Sequence, residues 1–567
     1  MDFVLTLHSH MPYVVHHGRW PHGSDWLCEG AVDTYLPLLE ALLQLEKSKI
    51  PAPVTLGITP VLATQLSHPD FVADLQDYFE HRIEACEVAP ASLKATGDAA
   101  LIPLAAFWLE RFRRLYALWK STGFDLVGAF RALEERGRLE ILSSCATHGF
   151  LPLLGRDESI RFQLAAGRAE HQRLFGREPR GLWLPECAYR PAGRWAPEGA
   201  RPVAHRPATH EYLAEAGYRY FFVDSHLPNA GPPLDYDGEM AMGTTAEAWA
   251  ELQRKAFAGD GPRSPYHAYK LSGKRGRTPI AAYVRDPDST LRVWSRHLGY
   301  PGDGAYLEFH KIRWPEGLKL WRVTGGDVDL GAKQSYDAAA AFERARVHAR
   351  HFAGILGDAK QHGKDGEVVA APFDTELFGH WWFEGVEFLR ELYVALQGTA
   401  VHPVTAGRHL ETHPTTRSAE LREGSWGANG DFSMWMNPGT EWTWKRMWPL
   451  EDRFWAAART ALAAGPMEHA VLEQAARSLL LAQASDWQFI ISTGAAVDYA
   501  ERRFSQHCED AEHLVASLED SEPGALEAGM RYAESLRDRD DVFPDVLESV
   551  AKVAAGAPGH PASVAGT

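Results

Sequence analysis

The sequence predicts an α/β fold: an incomplete TIM-like barrel with an inserted helical segment, followed by an all-helical C-terminal region. Three observations predict it. Seven short apolar runs alternate with amphipathic stretches, each run closes on a polar residue, and the pattern changes near residue 400.

The apolar runs are FVLTLHSH (3–10), PVTLGIT (53–59), LEILSSC (139–145), GLWLPE (181–186), YRYFFVD (218–224), PIAAYVRD (279–286) and EVVAAPFD (367–374). Rich in Val, Ile, Leu and Phe, they read as strands. Helical stretches at 33–48, 104–137, 157–175 and 336–362 lie among them. Near-continuously apolar strands alternating with helices indicate a parallel sheet covered on both faces. Their polar ends are His8 and His10, Thr59, Cys145 and His148, Glu186, Asp224, Arg285 and Asp286, and Asp374. In parallel barrels the active site lies at the C-terminal ends of the strands.

Two interruptions break the alternation. Residues 60–138 read mostly as helix and are expected to form an insertion. Residues 227–278 are rich in Gly, Pro and charge, as in GDGPRSP and SGKRGRTP. A structureless stretch of that length usually has a function, so a cleft-covering loop is expected. Helices are expected at 449–464, 467–483, 495–519 and 524–554, after a Gly/Trp-rich segment at 423–448. This organisation gives a catalytic barrel over 1–400, a helical C-terminal domain over 401–555 and a disordered tail over 556–567.

A chain of 567 residues exceeds one hydrophobic core, so several domains are expected. Lys plus Arg total 58 against 75 acids, a net charge of −17. That sign argues against nucleic acid or an anionic membrane as main partner and permits a neutral polymer. The start MDFVLTLHSHMPY has no basic region followed by an apolar one, and no apolar run approaches the ~20 residues of a membrane span. The five cysteines (Cys28, Cys86, Cys145, Cys187, Cys508) lack CxxC spacing, which fits a reducing, cytoplasmic setting. Nineteen tryptophans cluster beside polar motifs, as in HWWFEG, EGSWG, SMWMN and TEWTWKRMW. Core filling explains many of them, and pyranose stacking explains the clustering equally well.

Glu186 ends an apolar strand in GLWLPECAY, where a carboxylate needs a reason. Asp374 does the same in APFDTELFGHWWFEG, although a helix N-cap would also place an aspartate there. Two carboxylates at a barrel mouth suit glycosidic bond cleavage, one attacking and one donating a proton; retaining enzymes set them about 5–5.5 Å apart. The donor must hold its proton near neutral pH, and Phe373, Trp381 and Trp382 offer Asp374 apolar surroundings. His8 and His10 in HSHMPY share one strand face. HxH on a first barrel strand also suits a metal-dependent amidohydrolase, with His8, His10, His148 and an Asp around a divalent ion. Histidines bonded to sugar hydroxyls fit as well. A glucan-binding protein with a degenerate site is a third possibility, which the intact carboxylate pair disfavours.

HSHMPY, EILSSCATHGFLPLL, GLWLPECAYRP, APFDTELFGHWWFEG and QASDWQFIIS together resemble the five signature regions of glycoside hydrolase family 57, in order and spacing. VWSRHLGYPGD and WRVTGGDVDLGAKQSYD look like its 1,4-α-glucan branching subgroup, and the similarity spans roughly 1–510. The resemblance implies a (β/α)7 barrel and a retaining double displacement on an α-1,4-glucan. Glu186 then matches the nucleophile and Asp374 the acid/base, with no metal or other cofactor. His8, His10, His148, Trp294, Trp426, Trp435 and Asp486 match substrate contacts. It also implies a loop tyrosine over the cleft, for which Tyr236, Tyr266 and Tyr269 are candidates, and a monomer or small homo-oligomer. An α-amylase or 4-α-glucanotransferase of the same family is the alternative.

Overall fold

The computed structural model describes residues 1–198, 203–231, 263–272, 279–295, 299–362 and 368–556, with the backbone alone for 360–362. Each of the seven apolar runs contains a strand: β1 (Asp2–Ser9), β2 (Val54–Ile58), β3 (Leu139–Leu142), β4 (Gly181–Leu182), β5 (Tyr220–Val223), β6 (Ile280–Val284) and β7 (Val368–Asp374). Parallel ladders join β7–β1–β2–β3 and β4–β5–β6. Two parallel bridges, Ser143 to Leu182 and Arg285 to Ala370, close the ring. The protein is therefore a (β/α)7 barrel.

Side chains alternate across each strand. Val4, Tyr220, Phe222, Ala281, Tyr283, Val368 and Ala370 share one buried cluster, which fills the barrel interior. The intervening Phe3, Leu5, Leu7, Leu56, Val369, Ala371 and Phe373 pack in a different cluster, shared with the surrounding helices. The same alternation continues one step past each inward apolar residue. It carries His8, Thr59, Asp224, Arg285 and Asp374 to the top of the inward columns, and register sets His8 level with Gly57 and Asp374.

Several elements depart from the sequence reading. The stretch 104–137 is two helices, Ile102–Ser121 and Leu126–Glu135. Gly123 and Phe124 take φ of 71° and 65°, ending the first, and the Asp125 carboxylate caps the second by accepting from Gly128 N at 2.7 Å. The expected helix 524–554 is also split, into Ala525–Arg537 and Val546–Gly556, with Pro544 in the gap. Within the supposedly irregular 227–278, Ala268–Leu271 is a strand antiparallel to β6. Ala268, Tyr269 and Leu271 are buried there, so packing holds it. The rest of that interval, at 232–262 and 273–278, and the tail beyond 556 lie outside the described residues.

Helices Glu441–Ala461, Pro466–Ala482, Asp486–Thr493 and Val497–Glu519 follow the barrel. The junction between the second and third docks on the β3–β4 side. Thr147 Oγ1 donates to Leu480 O, Gln163 Nε2 donates to Gln483 Oε1 at 3.0 Å, and Ser485 N donates to His148 O at 3.2 Å. No described helix is long and apolar enough to cross a membrane. All five cysteines are buried and unpaired.

The helix Asp157–Phe175 lies directly on the segment that carries His148, with Ala146 N donating to Gln163 O at 2.9 Å. Gly167 permits that approach: a Cβ there would come within 2.7 Å of Ser144 O and 2.9 Å of Ala146 N. Gly167→Ala is expected to destabilise the protein by about 1–3 kcal/mol through overpacking. A lower melting temperature checks this; an unchanged melt would mean the contact yields freely.

Candidate active site

Glu186 stands beyond its strand rather than on it. The β4 ladder stops at Leu182, Pro185 offers no N–H, and residues Pro185–Cys187 form a single turn. Glu186 adopts φ 57° and Cys187 φ 48°, a region L-residues rarely occupy. Backbone strain of this kind persists where surrounding contacts fix it. Here Trp426 N donates to Glu186 O at 3.0 Å. The carboxylate is fixed as well: Trp426 Nε1 donates to Oε2 at 2.9 Å, and Ser485 Oγ lies 3.0 Å from Oε1.

Asp374 ends β7 and precedes a short turn, Thr375–Leu377, at the N-cap position. It makes no capping hydrogen bond, so the alternative reading of Asp374 as a cap is not realised. Its neighbour Glu376 is held instead, accepting from Tyr35 Oη at 2.6 Å and His10 N at 3.2 Å.

The predicted contacts converge on one cavity of about 280 Å³. His8, His10, His148, Glu186, Trp294, Asp374, Trp426, Trp435 and Asp486 all line it. His10 Nδ1 pairs with Thr59 Oγ1 at 3.0 Å, and His10 Nε2 with Asp486 Oδ2 at 2.9 Å. The His10 ring stacks on His148 at 4.1 Å, and His8 stacks on Trp183 at 4.6 Å. The tyrosines behave differently. Tyr269 is buried in the strand beside β6, its hydroxyl donating to Ser264 O at 2.7 Å, and neither it nor Tyr266 lines the cavity. The expectation that either covers the cleft fails because that chain segment is tied to β6 and β7, through the Ala268–Leu271 ladder and Val368 N donating to Tyr266 O at 3.2 Å. Tyr236 lies outside the described residues.

Sequence reasoning passed over Trp26, Glu376, Ser485 and Phe489, which belong to this site. Ser485 adjoins Asp486 in QASDW and reads as an ordinary N-cap serine; only the fold brings it to Glu186. Trp26 precedes the first expected helix, and its neighbours Ser24 and Asp25 were the only polar signal beside it.

Burial raises both carboxyls. Glu186 is pushed up to about 7, by burial first and by Asp486, while the Trp426 and Ser485 hydrogen bonds and His10 pull it down. Asp374 is held well above the ordinary carboxylate range by burial, Glu376 and Glu186, opposed only by Arg285. Of the two, Glu186 has the hydrogen-bond donors that favour an anion, so it releases its proton first. Burial opposes charge on His10, yet Asp486, Glu186 and Glu376 together raise it above its usual value. Burial first, then the neighbouring His10, keeps His8 and His148 neutral. The site thus pairs a carboxylate held by two donors with one that holds its proton more tightly, beside an imidazole whose pKa is raised.

The glycosyl hydrolase family 57 model matches residues 4–422. The chain belongs to glycosyl hydrolase family 57. A second model, for the C-terminal region of 1,4-alpha-glucan branching enzymes, matches residues 447–550. A 1,4-alpha-glucan branching enzyme of Thermococcus kodakarensis is 39% identical over 549 residues, 96% of this chain and 77% of that one. A crystal structure of a family 57 branching enzyme from Thermococcus kodakaraensis, in complex with glucose and additives, superposes with a TM-score of 0.86. It is 38% identical, covering 97% of this chain and 96% of its own. An α-amylase from Thermotoga maritima gives a TM-score of 0.76 at 28% identity, over 97% and 99% of the two chains.

Trp426→Phe removes one donor from Glu186 and is expected to raise its pKa. A reaction that uses Glu186 ionised and Asp374 protonated would rise with pH through about 7 and fall when Asp374 loses its proton. The acid limb of kcat/KM should move upward by about one to two pH units in the variant. A limb that stays in place would show that Trp426 does not govern that ionisation.

Proposed function

We propose that the protein is a 1,4-α-glucan branching enzyme acting by a retaining double displacement. One observation carries the chemistry: two carboxyls share one cavity, and Glu186 accepts two hydrogen bonds while Asp374 is held well above the ordinary range. The match of the branching-enzyme C-terminal model to residues 447–550 supports the acceptor. Glu186 attacks the anomeric carbon of an α-1,4-glucan while Asp374 gives its proton to the leaving 4-oxygen. Asp374 then takes the proton of an incoming 6-hydroxyl, whose oxygen displaces Glu186 and forms the α-1,6 branch. His10 beside Asp486 and the indoles of Trp294 and Trp426 hold the glucan in place, while Trp435, fully buried and stacked on Phe150 and Phe489, backs the cavity wall. His8 and His148 stand behind the reacting carboxylate.

No step needs a metal. His10 pairs with Thr59 and Asp486, and His8 and His148 turn their Nε2 atoms toward each other, 3.1 Å apart; His10, His148 and Asp486 also offer ligand atoms within 4.8 Å of one another, so chelation decides the metal reading. The reading places the protein in the cytoplasm as a monomer or small homo-oligomer, in keeping with its buried free thiols. It keeps the barrel over 1–400, the helical insertion over 60–138 and the helical region over 401–555, while of the expected loop 227–278 the segment Ala268–Leu271 joins the barrel sheet as a strand.

The likeness to the Thermotoga maritima α-amylase favours a second reading, net hydrolysis. Proton NMR of amylose incubated with the protein separates the two. New α-1,6 anomeric signals are expected; reducing ends alone would mean an amylase, and redistributed α-1,4 chains a glucanotransferase. Activity is expected to survive exhaustive chelation, and its loss would revive the metal reading. Asp374→Asn should lower turnover of amylose by about 10²–10⁴-fold and recover in part on a glycosyl fluoride, whose leaving group needs no proton. Equal loss on both donors would remove Asp374 from the acid role.

A further inference from the structure

Ser485 precedes the helix Asp486–Thr493, at a position where a serine hydroxyl ordinarily caps the first turn. It makes no such bond. The hydroxyl is turned instead between two side chains, 3.0 Å from Glu186 Oε1 and 3.0 Å from His148 Nδ1. Behind it the contacts continue: His148 Nε2 lies 3.1 Å from His8 Nε2, and His8 Nδ1 is buried with no hydrogen-bond partner among the described residues. All three side chains are buried.

A serine has one proton to give, so this line of contacts has only two polarities. In the first, Ser485 donates to an ionised Glu186, His148 Nδ1–H donates to Ser485 Oγ, and His8 Nε2–H donates to His148 Nε2. His8 Nδ1 is then a bare lone pair. In the second, a protonated Glu186 donates to Ser485, Ser485 donates to His148 Nδ1, and His148 Nε2–H donates to His8 Nε2. The last proton then sits on His8 Nδ1 as a buried N–H without an acceptor. An orphaned buried donor is the costlier of the two ends. His148 Nδ1 also faces Glu186 Oε1 at 3.7 Å, which favours a proton on that nitrogen and hence the first polarity.

We infer that Ser485, His148 and His8 form a one-directional donor chain that holds Glu186 ionised and fixes the orientation of its carboxylate. Ser485 and His8 are thereby positioning residues for the nucleophile, and the helix gives up its serine cap to supply the hydroxyl. Aligned hydrogen bonds in a buried setting reinforce one another, so His8 acts on Glu186 from two side chains away. The chain deepens the reading of Glu186 as nucleophile and rests on it.

The groups facing Glu186 are His10 at the end of β1, His148, Asp374 across the cavity, Asp486 on the helix and the adjoining Cys187. The test variants leave all of them in place. Ser485→Ala is expected to lower kcat/KM by about 10- to 100-fold, mostly in kcat, and to move its acid limb up by about one to two pH units. Ser485→Thr should restore the limb. His8→Leu, which does not touch Glu186, should move the limb in the same direction, and His8→Gln, which keeps a donor, should return it. In nitrogen-labelled histidine spectra of the wild type, His148 is expected as the Nδ1–H tautomer. An Nε2–H tautomer would overturn the chain without recourse to any variant. A wild-type acid limb in both Ser485→Ala and His8→Leu would also overturn it. Transfer retained by Glu186→Gln would instead remove the nucleophile reading. Loss of transfer in Glu186→Gln with unmoved limbs in the other two removes the donor chain alone.

Discussion

Glu186 belongs to the barrel, but what holds its carboxylate comes from elsewhere. Trp426 bonds one oxygen and Ser485 the other, from chain segments 240 and 299 residues further on. The remaining features of the site depend on this grip. It fixes a left-handed backbone turn beyond β4, and it makes the orientation of the Glu186 carboxylate depend on how the C-terminal helices dock. The contacts of Thr147, Gln163 and His148 with residues 480–485 are where the two parts meet. A barrel lacking that interface would keep its strands and lose the Ser485 hold on the Glu186 carboxylate.

The grip also divides labour between two acids that burial would otherwise treat alike. Both lose solvent, and their mutual repulsion raises whichever stays protonated. Two donors bind Glu186, whereas Asp374 has only the distant Arg285 working against its proton. Environment rather than residue type therefore sets the roles. His10 adds a positive charge on the same side, stabilised by Asp486, which favours the anion again.

The barrel was legible in the sequence because its strands are buried on both faces and their apolar runs are nearly unbroken. The polar strand ends were legible too, but only the register shows that His8 and Asp374 stand level with each other. Glu186 does line the cavity, but from a turn rather than a strand end, since the ladder stops at Leu182 and Pro185 follows it. The helices 104–137 and 524–554 were drawn too long where Gly123 and Pro544 already marked breaks. The strand Ala268–Leu271 has no alternation to betray it: Ala268, Tyr269 and Leu271 are all buried, and pairing with β6 makes the strand. Ser485 was passed over because its role lies wholly in tertiary contact. A serine before an aspartate at a helix start has the same local pattern whether or not it caps, and only the approach of Glu186 distinguishes the two.

The central claim is that Glu186, and not Asp374, forms the covalent bond to sugar. Incubation with a fluorinated glycosyl fluoride that accumulates the glycosyl-enzyme, followed by peptide mapping by mass spectrometry, tests it most directly. The label is expected on the peptide GLWLPECAYRPAGR, at Glu186. A label on the peptide containing Asp374, or stoichiometric inactivation with Glu186 unmodified, would contradict the account.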